Sequence, residues 1–153
     1  MTKQQKNIAI ENRKILIADD ESDMRIFVST VVELAGFEAV TAKDGAEALK
    51  TARDICPDLV ILDVMMPKIE DGIHTYQEFK TDENLACIPV IMLSAIAEKT
   101  FNYSIKVLNP RKNLHITEPE AYMEKPPDAV ELSALIKKLL PERSKYLSKS
   151  FAP

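Results

Sequence analysis

The sequence predicts an α/β domain built on a parallel β-sheet, and three observations carry that prediction. Short apolar runs alternate with segments of helical periodicity, and the alternation repeats five times along the chain. The third run, Leu59 to Leu62, is continuously apolar, as expected of a strand covered by helices on both faces. The length, 153 residues, suits a single hydrophobic core.

The first strand is Ile15 to Ala18. It is followed by a helix whose inner face is Met24, Phe27, Val28, Val31 and Ala35, and which Gly36 stops as a C-terminal cap. A weaker strand, Phe37 to Ala42, leads to a helix from about Asp44, where Glu47 completes a capping-box-like pair. Ala46, Ala48, Leu49, Ala52 and Ile55 supply that helix's inner face, and Leu59 to Leu62 is the central strand. A loop from Val64 to Gly72 precedes a third helix with Ile73, Tyr76, Phe79 and Lys80 at helical spacing. The fourth strand, Ile88 to Leu93, tolerates Pro89 near its start, where a ladder donor is dispensable.

Ala97, Phe101, Ile105 and Leu108 mark a fourth helix, ended by Asn109-Pro110. Arg111 to Glu120 is a polar loop, and Ala121 to Glu124 the last strand. Pro127-Asp128 opens a final helix facing inward through Leu132, Leu135, Ile136, Leu139 and Leu140, with Pro141 at its end. The expected organisation is a polar extension at 1–12, a domain at 13–141 with an extra loop at 109–120, and a tail at 142–153.

Composition excludes several functions. Three widely spaced glycines permit neither a Gly-x-Gly pair nor a Walker loop, which argues against dinucleotide binding and nucleotide hydrolysis. Cys56, Cys87, His74 and His115 lack zinc-site spacing, and both cysteines, each beside an apolar run, are expected to act as small hydrophobes. The net charge of −4, with no basic block, predicts no direct nucleic-acid binding. No apolar stretch is long enough for membrane insertion and the N-terminus has no signal-peptide core, so a cytoplasmic location is expected.

Ligands of open α/β sheets bind beyond the carboxyl ends of the strands. The residues there are Asp19, Asp20 and Glu21 after the first strand, Asp63 after the third, Ser94 after the fourth and Lys125 after the fifth. Each has a plain structural alternative: Asp20 or Ser22 as a helix cap, Asp63 as a turn cap, Ser94 as a backbone partner, Lys125 as a surface lysine. Together they make a different case. Clustered carboxylates repel one another unless a cation offsets them, and hard oxygen donors suit Mg²⁺. An Asp beside Mg²⁺ is a nucleophile toward phosphoryl groups, with a lysine and a hydroxyl to pair with the phosphoryl oxygens.

Four segments then carry a family resemblance: Lys-Ile-Leu-Ile-Ala-Asp-Asp-Glu ending at Glu21, Asp-Gly-Ala-Glu-Ala-Leu from Asp44, Asp-Val-Met-Met-Pro from Asp63, and Lys-Pro at Lys125. With Ser94 in Leu-Ser-Ala, the set resembles the receiver domain of two-component response regulators, from about Arg13 to Leu140. The resemblance implies a flavodoxin-like (βα)5 three-layer sandwich with strand order 2-1-3-4-5. It implies Asp63 as phosphoacceptor, Mg²⁺ held by Asp19, Asp20, Asp63 and the Met65 backbone carbonyl, and Lys125 as phosphoryl partner before a cis bond to Pro126. Ser94 would be the switch hydroxyl and Tyr122 the switch aromatic, Tyr122 also reading simply as a half-buried strand tyrosine.

The implied partners are a sensor histidine kinase or histidine phosphotransfer protein and an unidentified downstream protein. The output surface would be the fourth helix, fifth strand and fifth helix, and a phosphorylation-dependent dimer is one form it can take. A stand-alone switch without an effector domain is expected, with a phosphorelay intermediate as the alternative. No enzymatic turnover is expected beyond the protein's own phosphorylation and dephosphorylation. A Mg²⁺-dependent phosphohydrolase is the lesser alternative, since such enzymes pair the nucleophile with a second Asp where Met65 stands.

Two departures from the pattern stand out. Gly72 follows Pro67 by five residues where the family has four, and the interval of 31 residues from Ser94 to Lys125 is longer than the family norm. Met65 and Ile96 flank the expected phosphoryl position without a polar side chain to orient water, which predicts slow self-dephosphorylation.

Overall fold

The computed structural model describes residues 13–108 and 116–141. Strands and helices alternate: β1 (Lys14–Ala18), α1 (Ser22–Leu34), β2 (Glu38–Ala42), α2 (Gly45–Ile55), β3 (Leu59–Leu62), α3 (Ile69–Thr81), β4 (Val90–Ser94), α4 (Glu98–Leu108), β5 (Ala121–Glu124) and α5 (Ala129–Leu139). The five strands form one parallel sheet in the order β2-β1-β3-β4-β5. This is the flavodoxin-like arrangement, with the apolar β3 at its centre.

Side-chain alternation divides the interior into two layers. Leu16, Val60, Leu62 and Met92 face α2, α3 and α4 through Ala52, Ile73, Phe79 and Phe101. Ile15, Ile17, Ile61 and Leu93 face α1 and α5 through Val28, Val32, Leu132 and Ile136. The strand ends that carry Asp19, Asp63, Ser94 and Lys125 therefore lie along one edge of the sheet.

Several local expectations change. The buried stripe of α1 is Val28, Val31 and Val32, while Phe27 is 40% exposed. Val28 and Val32 sit one turn apart, and Phe27 falls at the edge of the stripe they define. Gly36, at φ +96°, ends α1 with Phe37 N–H on the Val32 carbonyl and Gly36 N–H on the Glu33 carbonyl, which satisfies two terminal acceptors. Asp44 caps α2 by accepting the Glu47 N–H at 2.8 Å, but the Glu47 carboxylate returns to the Lys43 N–H rather than to that of Asp44. Neither Asp20 nor Ser22 caps α1, whose N-cap is Glu21 without a side-chain hydrogen bond.

α3 begins at Ile69, earlier than its apolar spacing suggests, because the Asp71 carboxylate accepts the Lys68 N–H at 3.1 Å and starts the helix there. Gly72 is thus a helical residue. A Cβ at that position would collide with the Val64 backbone, so the glycine serves a close approach of α3 to the loop after β3. Cys56 and Cys87 are exposed, because the loops before β3 and β4 carry them outside the apolar runs. Most of the expected extra loop, residues 109–115, and both chain ends lie outside the described residues. Among the described residues, no helix is long and apolar enough to cross a membrane.

Candidate functional site

β1 delivers Asp19 to the sheet edge almost fully buried, at 2% exposure. Its Oδ1 accepts the Glu21 N–H at 2.9 Å, and Arg25 on the first turn of α1 donates to its carbonyl at 2.7 Å. These contacts hold the turn so that Asp20 and Glu21 face solvent beside it. Asp63 follows β3, tied to β1 by its own N–H on the Ala18 carbonyl at 2.9 Å. Asp63 Oδ1 accepts the Met65 N–H at 3.1 Å, which orients the carboxylate.

Lys125 reaches the same point from β5. Its Nζ lies 2.8 Å from Asp19 Oδ2, 3.1 Å from Asp63 Oδ2 and 3.5 Å from Glu21 Oε1. The strand end is secured by the Lys125 N–H on the Ser94 carbonyl, and the bond to Pro126 is cis. Sheet register pairs Leu62 with Met92 and Ser94 with Glu124, so Ser94 stands between the Asp63 and Lys125 strand ends.

The electrostatics are those of a charge-dense, poorly hydrated pocket. Burial, and then the Asp19 charge, push Asp63 up to about 6, while Lys125 and the Met65 N–H pull it back. Burial works against the Lys125 charge, but Asp19 and Asp63 outweigh it and hold its pKa above the ordinary lysine value. One oxygen each from Asp19, Asp20, Glu21 and Asp63 lie within 4.8 Å of one another. A single lysine leaves that set with excess negative charge, and an all-oxygen donor set fits a hard divalent cation such as Mg²⁺.

Ser94 is fully buried, and its Oγ receives the Ile96 N–H at 3.4 Å. Tyr122 turns inward and donates its hydroxyl to the Ile96 carbonyl at 2.6 Å. Burial pushes that phenol up to about 12 despite a hydrogen bond with Ser94. The strand-end residues singled out from the sequence therefore converge. The sequence places Glu21 among the strand-end acids but not in the metal-binding set, and the structure brings its carboxylate into the cluster. Arg25 is not among the residues singled out from the sequence; its place one turn into an amphipathic helix beside an acidic strand end is the signal that points to it.

These features are those of one family. The family model for the response regulator receiver domain matches residues 15–137, and the chain belongs to that family. It is 39% identical over 139 residues to a probable transcriptional regulator, ycf27, of Galdieria sulphuraria, covering 90% of this chain and 49% of that protein. It is 36% identical over 129 residues to the alkaline phosphatase synthesis transcriptional regulatory protein PhoP of Bacillus subtilis, covering 84% and 49%. The chain thus spans about half the length of the curated relatives it matches. Among solved structures, the chemotaxis response regulator CheY4 of Vibrio cholerae aligns with a TM-score of 0.69 at 25% identity, covering 83% of this chain and 98% of that one. A putative response regulator from Chloroflexus aurantiacus aligns with a TM-score of 0.67 at 27% identity, covering 85% and 98%.

Proposed function

We propose that this receiver domain accepts a phosphoryl group on Asp63 from a histidine kinase or histidine phosphotransfer protein and thereby changes its affinity for a partner. The observation that carries the reading is the buried pairing of Asp19 and Asp63 with Lys125, beside two further carboxylates. Asp19, Asp20, Asp63 and the Met65 carbonyl would hold Mg²⁺, with Glu21 adding negative charge at the rim. Bound there, the ion offsets the charge of incoming phosphoryl oxygens.

In the transfer, an Asp63 carboxylate oxygen forms the new bond to phosphorus as the bond to the donor histidine nitrogen breaks. The electron pair leaves with that nitrogen. Lys125 then neutralises phosphoryl oxygens, and Ser94 shifts its hydroxyl toward them. The shift favours the inward position of Tyr122, with its hydroxyl on the Ile96 carbonyl, over an outward one, and that choice sets the surface of α4, β5 and α5.

Turnover is confined to the protein's own aspartyl phosphate, since Met65 stands where a phosphohydrolase places its second acid. The relatives named as transcriptional regulators give no support to an output that excludes nucleic acid. The test is phosphotransfer from a phosphorylated histidine phosphotransfer protein. Wild type should take up the label in Mg²⁺, while Asp63→Ala and chelator-treated wild type should not. Equal labelling of Asp63→Ala would overturn the assignment.

A further inference from the structure

Away from the phosphoryl site, a second set of polar contacts joins α3 to the segment that enters β5. The Lys80 side chain is only 4% exposed, and its ammonium lies 2.8 Å and 3.1 Å from the two carboxylate oxygens of Glu120. Glu120 also accepts the Val90 N–H at 2.7 Å, so one carboxylate ties α3 to the starts of β4 and β5. One turn earlier on α3, the fully buried Tyr76 donates its hydroxyl to the Thr117 carbonyl, and Lys80 Nζ lies 5.9 Å from the centre of its ring. Ile116 packs against the same apolar layer. A connection that only closes a loop runs solvated over the surface and does not require a buried lysine and a buried phenol to hold it.

The Tyr76 ring also leads back toward the phosphoryl site. It meets Phe101 of α4 edge-on, with centroids 5.8 Å apart, and Phe101 meets Tyr122 at 5.6 Å. Tyr122 ends on the Ile96 carbonyl, beside the Ser94 hydroxyl that receives the Ile96 N–H. Three aromatic rings therefore form a continuous packed row from the loop after β4 to residues 116–120. In a close-packed interior, one ring of such a row cannot withdraw without leaving a void or moving its neighbour.

We propose that this row couples the order of residues 116–120 to the state of Asp63, carrying the phosphorylation-dependent change past Tyr122 to the clamp on α3. By holding Ser94 and Ile96 in the arrangement that seats Tyr122 inward, a phosphoryl group on Asp63 keeps Phe101 and Tyr76 seated and clamps the segment onto α3. The inference rests on the receiver function proposed above and extends it to an edge of the domain that the phosphoryl group does not touch. Tyr76 is here a positioning residue, acting through its hydroxyl on Thr117.

The test is amide hydrogen exchange of the full chain in Mg²⁺, with and without beryllium fluoride as phosphoryl mimic, on wild type, Tyr76→Phe, Glu120→Gln and Asp63→Ala. Tyr76→Phe keeps the ring and removes only the hydroxyl. In wild type, exchange should slow several-fold in both 94–97 and 116–124, and Asp63→Ala should show neither effect. Tyr76→Phe and Glu120→Gln should keep the response at 94–97 and lose most of that at 116–120. Slowing at 94–97 alone in wild type, or a full response at 116–120 in both variants, would overturn the proposal and leave the receiver reading intact. Silence of both regions in wild type would overturn the receiver reading and this proposal with it.

Discussion

The Asp63 carboxylate is buried between the Lys125 ammonium and a second acid, Asp19. With its pKa raised from 3.8 to about 6, the folded protein holds a proton there that the unfolded chain releases. This group's contribution to stability is therefore full below the ordinary carboxylate value and is lost as pH rises through about 6. Metal-free Asp63→Asn should therefore be more stable than wild type at pH 7, by about 1–3 kcal/mol in chemical denaturation. Protons would compete with Mg²⁺ for the oxygens proposed to hold it, so Mg²⁺ affinity measured by calorimetry should fall as pH is lowered from about 8 to about 5. Asp63→Asn should flatten that part of the profile. Met65 is 36% exposed and apolar beside the site, and its replacement by Asn should speed loss of the phosphoryl group by about tenfold, or about 1.4 kcal/mol of barrier. An unchanged decay rate would show that Met65 does not limit access of water.

At the scale of single elements, α3 is where pattern and structure differ most. Its apolar spacing was readable from Ile73 onward, but its first turn is polar and is started by Asp71 on the Lys68 N–H, a contact that periodicity cannot report. Gly72 looked like a loop residue because a glycine usually marks a turn. Its actual role, a helix packed onto the Val64 backbone, depends on a tertiary approach. Gly72→Ala should accordingly destabilise the domain by about 1–3 kcal/mol in urea denaturation, the opposite of the stabilisation that helix propensity alone would give. By contrast, β3 and β5 were legible to the residue, since an apolar run bounded by polar residues is a local signal. α1 was legible as a helix but its face was misjudged by one residue at Phe27, since whether a stripe's edge is covered depends on what packs there.

For the molecule as a whole, the alternation of strand and helix was enough to predict a parallel α/β domain, and the motif resemblance supplied the strand order. The site was legible because a parallel sheet gathers its strand ends on one edge, which brings Asp19, Asp63, Ser94 and Lys125 together from four separate strands. What no local pattern shows is coupling across layers: the Lys80–Glu120 clamp joins residues 40 apart, and Tyr76 and Thr117 are 41 apart. The exposed cysteines were misread for a related reason, because lying beside an apolar run does not place a residue within the strand. A phosphoacceptor role for Asp63 can be read out by intact-mass spectrometry after incubation with Mg²⁺ and a small-molecule phosphodonor. Wild type should gain one phosphoryl group, and Asp63→Ala, or wild type with a chelator present, should gain none. A folded wild type that gains nothing from an active donor, or an Asp63→Ala variant that gains as much as wild type, would contradict that role.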